Sequence, residues 1–342
     1  MKKKKKYILA GLVIVFLMAC VIGFVVYLRV FAPNVAKEKT YLYIHSHDNF
    51  NDVIQSLQQE NALKNTSSFE WLALKKGYDK NVKAGKYLLK AGMNNNQIVN
   101  MLRSGRQEAV NLVFNNIRTN EQLAGKLARQ IETDSASLIL AFNNPDFLSN
   151  YKTSVEELRL IFIPNTYKIW WNTSAAELME RMQKEYDKFW NDERNAKAYS
   201  AGLSRKEVGV VASIVEEETN QKAEKATVAS VYINRIRKGM LLQADPTVKY
   251  AVGDFTIKRI LNKHLVVDSP YNTYKYGGIP PGPICIPSIS SIDAVLANQK
   301  TDYLYFCAKE DFSGFHNFAK NMEEHMANAR KYQHALNQHK IF

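Results

Sequence analysis

Cysteine is scarce in this sequence, and cysteine pairs with metal-type spacing are absent. Cys20, Cys285 and Cys307 are the only three in 342 residues, too far apart to make the short pairs that hold a structural metal. No metal and no cofactor is expected. Acidic charge is also in short supply. There are 33 Asp and Glu against 46 Lys and Arg, which leaves a formal net charge of +13. No internal repeat and no low-complexity tract occurs beyond an N-terminal lysine block. Disorder is excluded by a hydrophobic content of 46% with 11% aromatics. The length exceeds what one compact core usually needs, so two or three folded units are expected.

Charge is missing altogether from one long stretch. The lysine block Lys2–Lys6 is followed by Tyr7 to Leu28, which contains no charged residue. As a helix rising about 1.5 Å per residue this run reaches roughly 33 Å, enough to cross a bilayer core. A cleaved signal peptide has a shorter apolar region, about 7–15 residues, and a small-x-small site. Val26-Tyr27-Leu28-Arg29 offers no such site. An uncleaved anchor is therefore expected, and the lysines ahead of it predict an N-terminus in the cytoplasm with the rest of the chain outside. That address turns the basic charge away from nucleic acid and toward an anionic cell-wall or membrane surface. In an oxidising compartment Cys285 and Cys307 could pair or could stay as two buried thiols.

The pattern of apolar residues divides the chain into segments. Residues 1–30 hold the lysine block and anchor, and 31–40 read as a linker. Residues 41–106 run strand, helix, helix, strand, helix, a small α/β module closed by Gly105. Residues 107–200 form a connecting α/β region with a strand at 109–114, helices, and the apolar run "LRLIFIPNTYKI" (158–169) read as a strand turning at Pro164-Asn165. Residues 201–342 carry the densest cluster of Gly, Pro and polar aromatics. The fold class expected is α+β.

Within this last part a helix opens at Ser204, with Glu207 in capping-box spacing, and ends in the consecutive glutamates Glu216, Glu217 and Glu218. At about 100° per residue, Gly209, Ala212, Ser213 and Glu216 share one face. Glu216 thus ends a stripe of small residues, where another chain or a ligand can come close. The neighbouring stripe Val208, Val211, Val215 leads to Glu218, and Glu217 points elsewhere, into solvent. Glutamates at a helix C-terminus are disfavoured by the helix dipole, which raises their pKa, and a general acid needs a raised pKa.

Downstream come "VASVYINRIRKGMLLQADPTVKYAVG" (228–253), "SPYNTYKYGGIPPGPICIPS" (269–288), "YLYF" (303–306) and "GFHNF" (314–318). With "ASIVEEET" (212–219), these motifs in this order resemble the murein endolytic transglycosylase family (YceG-like). The anchor followed by a small LysM-like module fits the same resemblance, which covers essentially the whole chain. One departure is Asn165 in "FIPNTY", where the family usually has an acidic residue. The resemblance implies cleavage of the β-1,4 bond between N-acetylmuramic acid and N-acetylglucosamine in nascent glycan strands. The sugar's own 6-hydroxyl is the nucleophile and the products carry 1,6-anhydro ends.

Carried onto this sequence, the resemblance implies Glu216 as acid and then base; Glu218, at the end of the valine stripe, reads as a structural or supporting carboxylate. Tyr271, Asn272 and Tyr274 lie on a loop before a Gly-Gly-x-Pro-Pro-Gly turn, where aromatic faces suit sugar rings and Asn suits N-acetyl groups. Gln243, Asp245 and Thr247 are further substrate-binding candidates, although Asp245 before Pro246 also fits a turn or N-cap. His316 would donate to substrate or orient a site residue, and equally fits a structural role. Asn234 and Arg235 read as packing and ion-pair residues. Peptidoglycan strands and the membrane are the expected partners, with wall-synthesis or division proteins as further candidates. Two other functions stay open: a water-using muramidase pairing Glu216 with Asp245, and a non-catalytic wall-binding tether.

Overall fold

A computed structural model describes residues 2–339. Met1 and residues 340–342, the extreme ends of the first and last expected segments, lie outside the described residues. The chain divides into two compact units, one made of residues 1–111, 130–132 and 168–173, the other of the remainder.

The first unit begins with α1 (Lys2–Phe31). From Lys4 to Phe31 it is long and apolar enough to span a membrane, with its window wholly exposed. An apolar surface all round a helix needs an apolar surrounding, which fits a membrane anchor. The expected linker is built into the unit. Asn95 Nδ2 donates to the Arg29 carbonyl at 2.8 Å, and the buried Asn34 donates to Asn95 Oδ1 at 2.7 Å. Val35 bridges to Leu63. These bonds tie residues 29–36 down because buried amides need partners.

Beyond it run β1 (Lys39–Ile44), α2 (Phe50–Gln59), α3 (Thr66–Lys75), β2 (Gly85–Lys90) and α4 (Asn95–Ser104). The strands pair antiparallel from Lys39↔Lys90 to Ile44↔Gly85. Their alternate residues Leu42, Ile44, Tyr87 and Leu89 point into a core with Val53, Leu57, Phe69, Ile98 and Leu102. Period-2 strands and 3.6-period helices meeting on one apolar core is the pattern the sequence predicts. Gly105 ends α4 at φ 70°, a conformation that glycine adopts without strain.

The boundary between the units falls within β3 (Val110–Val113) and β4 (Thr166–Ile169). The second unit holds α5 (Asn120–Ala128), α6 (Ser135–Phe142), α7 (Pro145–Ser149), α8 (Ala175–Phe189), α9 (Asp192–Ala201), α10 (Arg205–Glu218), α11 (Lys225–Arg237), α12 (Asp245–Val252), α13 (Asn262–Leu265), α14 (Ile289–Leu296) and α15 (Met322–Gln338). A hairpin of β5 (Tyr305–Ala308) and β6 (His316–Ala319) completes it, in register Phe306↔Phe318. The α+β class holds, with helix dominant. Most of the expected connecting region 107–200 belongs to this same unit rather than standing apart.

The run 158–169 is not a strand throughout. Leu158–Leu160 is a 3-10 turn, and only Thr166–Ile169 is extended. The cause is Arg159. It is buried and its guanidinium donates to Asn120 Oδ1 (2.6 Å), the Tyr250 hydroxyl (2.8 Å) and the Pro283 carbonyl (2.7 Å). That clamp turns the backbone and leaves flanking Leu158, Leu160 and Phe162 in the core. At the Pro-Pro-Gly turn, a Cβ on Gly282 would clash with the Glu156 carbonyl oxygen and lie 2.9 Å from the Tyr271 hydroxyl. Gly282→Ala is expected to cost at least about 2 kcal/mol because a backbone atom must move. A urea-unfolding midpoint equal to wild type would contradict this.

Candidate active site

Helix α10 is fixed at its start by the Ser204/Glu207 capping box, and from Val208 to Val215 it is completely buried. Its core partners are α11 and α14. The small-residue face does admit a close neighbour, and that neighbour is the chain itself. The Ile284 amide donates to Ser213 Oγ at 3.0 Å, and Leu160 packs against Gly209.

Glu216, at the end of that face, is paired with a buried cation. Its Oε2 accepts from Lys225 Nζ (2.9 Å), Ser288 Oγ (2.5 Å) and Ser291 Oγ (2.5 Å). Lys225 is 6% exposed, Glu216 18%. Burial alone would raise the Glu216 carboxyl, but bonds from Lys225, Ser288 and Ser291 together hold it below the usual carboxylate range. A carboxylate so placed is a poor proton donor. Glu217 is not solvated as expected either, because Arg118 Nη2 holds its Oε2 at 2.7 Å.

Glu218 faces a cavity. It lines a hollow of about 210 Å³ together with Tyr232, Arg235, Gln243, Asp245, Tyr274, Phe306 and His316. Its Oε2 is buried without a hydrogen-bond partner among the described residues. Burial first, and the negative charge of Asp245 second, push its pKa up to about 8, against a small opposing effect from the Tyr232 hydroxyl. Its place as the last residue of α10 works in the same direction. At neutral pH this side chain is a carboxylic acid.

The expected substrate residues divide between this hollow and the packing behind it. Asp245 and Tyr274 are joined, the tyrosine hydroxyl donating to Asp245 Oδ1 at 2.6 Å. Burial and Asp245 together push the Tyr274 proton to a higher pKa, so Tyr274 remains a donor. Gln243 adopts φ 50°, a strained choice for a non-glycine residue and one that occurs preferentially at functional sites. Arg235 holds it there, donating to the carbonyls of Leu241 and Leu242 and to Gln243 Oε1 (3.1, 3.0 and 3.2 Å). Among the described residues Arg235 makes no ion pair with a carboxylate; it braces the pocket wall.

Thr247 and Asn272 are not in the hollow. Thr247 is fully buried and bonds the Ala244 carbonyl (2.7 Å) and the Thr273 hydroxyl (2.8 Å). Asn272 is fully buried and donates to the carbonyls of Leu265 and Val267, each at 2.8 Å. Both fix the loops that carry Gln243, Asp245 and Tyr274. Tyr271 stacks obliquely on Tyr250, ring centroids 4.7 Å apart, both half-buried against the core. The polar groups of Thr247 and Asn272 are consumed internally, contrary to the expectation that they contact substrate. Cys285 and Cys307 are free thiols.

His316 does reach the hollow, brought there by β6. Sequence reasoning missed its partner, Glu224. One Glu224 oxygen lies 2.8 Å from His316 Nδ1 and accepts from the Thr219 hydroxyl (2.5 Å), while the other accepts the His316 amide (3.0 Å). With Nδ1 so engaged, Nε2 is the nitrogen left for the pocket. A different hollow of about 410 Å³ lies around Tyr151, Leu160 and Tyr186, also in the second unit. Both of its acids are paired, Glu157 with Lys206 at 2.6 Å and Asp187 with Arg205 at 3.7 Å.

Comparisons with known proteins bear on this arrangement. A profile of the YceG-like family matches residues 42–331. An "Endolytic murein transglycosylase" of Bacillus subtilis (strain 168) is 30% identical over 89% of this chain and 87% of its own length. A protein of the same description from Streptococcus pneumoniae (strain D39) is 28% identical over 88% of this chain, which spans 60% of that longer relative. The crystal structure of a yceG-like protein from Listeria monocytogenes, 31% identical, matches 85% of this chain and 99% of its own with a TM-score of 0.55.

Proposed function

This chain belongs to the YceG-like family, and from that premise we infer that it is an endolytic murein transglycosylase whose acid is Glu218. The contrast between two carboxyls two residues apart carries the choice of acid. Glu216 is held as an anion by Lys225 and two hydroxyls, whereas Glu218 is held as a neutral acid lining an open hollow. This choice replaces the sequence expectation that Glu216 does the chemistry.

In this reading the Glu218 carboxyl donates its proton to the glycosidic oxygen between muramic acid and glucosamine. The bond from that oxygen to C1 breaks, and positive charge builds on C1. The muramic acid 6-hydroxyl attacks C1 and forms the 1,6-anhydro ring. Its proton passes to the Glu218 carboxylate, which restores the acid. No water enters, so no second carboxylate has to activate one. The Asp245 charge, anchored by Tyr274, sits where it raises Glu218 and opposes the positive charge developing at C1. His316 Nε2 is placed to bind a sugar hydroxyl.

The βααβ order of the first unit supports its reading as a LysM-like wall-binding module. The lysine block that opens α1 supports a single pass through the cytoplasmic membrane, with the pocket outside facing nascent strands.

Two measurements test these proposals. Mass spectrometry of digested glycan strands should find ends one water lighter than reducing ends; reducing ends would instead indicate a muramidase using Glu218 and Asp245. The rate profile supplies the second test. Because an ionised Glu218 has no proton to give, kcat/KM is expected to fall as pH rises through about 8. A profile unchanged between pH 7 and pH 9.5 would remove Glu218 from the acid's role.

A further inference from the structure

A second groove adjoins the Glu218 hollow and shares two of its residues, Asp245 and Cys307. It is larger, about 700 Å³, and Lys249, Lys258 and Arg259 line it. We propose that this groove is a subsite for the acidic peptide carried by the glycan strand, read by those three cations. The proposal rests on the transglycosylase reading and adds to it a part of the substrate that the chemistry does not touch.

Asp245 and Cys307 line both hollows, which places them side by side. Asp245 opens α12 and Lys249 follows four residues later, one helical turn along the same face. A strand bound at Asp245 therefore has Lys249 next along its path. The Glu218 hollow, at about 210 Å³, is smaller than the roughly 300–1,000 Å³ that enclose a drug-sized ligand. Most of a peptide-bearing strand must lie outside it.

Charge points to the same occupant. Among the described residues none of the three cations makes an ion pair with a carboxylate within 4.0 Å. The groove's own acids are Glu217 and Asp245, already engaged by Arg118 and Tyr274. Nearby Asp254 is bonded mainly to Thr256, at 2.6 and 2.9 Å, with Lys249 a minor contributor to its low pKa. Three cations thus remain for a ligand. Sugar rings of the strand are neutral; its peptide brings carboxylates. Apolar Ile257, Tyr332 and Leu336 in the same groove suit the peptide's aliphatic side chains.

The test compares two substrates, peptide-bearing strands and the same strands stripped of peptide by an amidase. Exposed charge pairs each change binding by roughly 2- to 5-fold. The full-length protein is therefore expected to prefer peptide-bearing strands by on the order of 10-fold in kcat/KM at low salt. That ratio should collapse toward 1 in the Lys249→Gln/Lys258→Gln/Arg259→Gln variant, and also at high salt. No preference in the wild-type protein, or an undiminished one in the triple variant, overturns the subsite. Should the triple variant fail to fold, Arg259→Gln alone, on an exposed loop, should still lower the ratio about 2-fold. Anhydro ends are scored separately. Their absence from both substrates sinks the transglycosylase reading, and equilibrium binding of the two strand types to the wild-type protein then decides the subsite by the same ratio.

Discussion

Glu218→Gln is expected to reduce strand cleavage by 10²- to 10⁴-fold, the usual contribution of a positioned general acid, and to leave the fold intact. Gln keeps the size and neutral charge that Glu218 has at pH 7, so the hollow loses a proton donor and little else. The same substitution has a second, opposite-looking consequence for stability. Between about pH 4.5 and 8 the folded protein retains a proton on Glu218 that the unfolded chain releases. Stability therefore falls as pH rises through that window, by up to about 1.4 kcal/mol per pH unit. Glu218→Gln should lose activity while flattening that slope, and at pH 8 it should unfold at higher denaturant than wild type. A merely structural glutamate would give the reverse.

Lys225→Met is expected to have the largest effect on stability, a loss of about 3–5 kcal/mol. Lys225 is nearly inaccessible, and its removal leaves the Glu216 carboxylate facing Ser288 and Ser291 with no cation. For a protein of this size the melting transition should move down by roughly 10 °C. Glu216→Met/Lys225→Met, which removes both charges, should recover much of the loss, as buried pairs replaced together often do. The pH dependence has the opposite sign to that of Glu218. Glu216 is held below its unfolded pKa, so its contribution is present above about pH 4.5 and disappears as pH falls below it. Calorimetry of the three proteins at pH 7 checks this; equal melting temperatures for wild type and Lys225→Met would show that the pair carries no stability.

The two carboxyls also mark how far the sequence could be read. Helix α10, its cap at Ser204 and its two faces were all visible in the spacing of Val208, Val211, Val215 and Gly209, Ala212, Ser213. What spacing could not reveal is which partner covers each face. The small-residue stripe did predict a close approach, but the approaching group was Ile284–Ser291 of the same chain. A signal for Glu218 was present: it ends the valine stripe, and a carboxyl continuing an apolar face is the one that burial makes a weak acid.

The first unit was more legible because its strands and helices keep regular apolar spacing and its caps, Asn49, Asn94 and Gly105, are local chemistry. Arg159 was illegible for the opposite reason. Its acceptors lie 39, 91 and 124 residues away in sequence, and they turned an apparent strand into a 3-10 turn. Thr247 and Asn272 misled in the same way, since a polar residue in a dense motif can serve the loop's own carbonyls as well as a substrate. Glu224 escaped notice because nothing in "QKAEK" announces a partner on β6.

The most direct test of the claim that Glu218 is the acid is a titration of its side chain by ¹³C NMR, with glutamate carboxyls labelled and Glu218→Gln used to identify the resonance. One glutamate should titrate near pH 8 in the wild-type protein and be missing from the variant. If the resonance lost with Glu218 titrates instead between about pH 4 and 5, the side chain is an ordinary anion at neutral pH and the proposed mechanism is wrong.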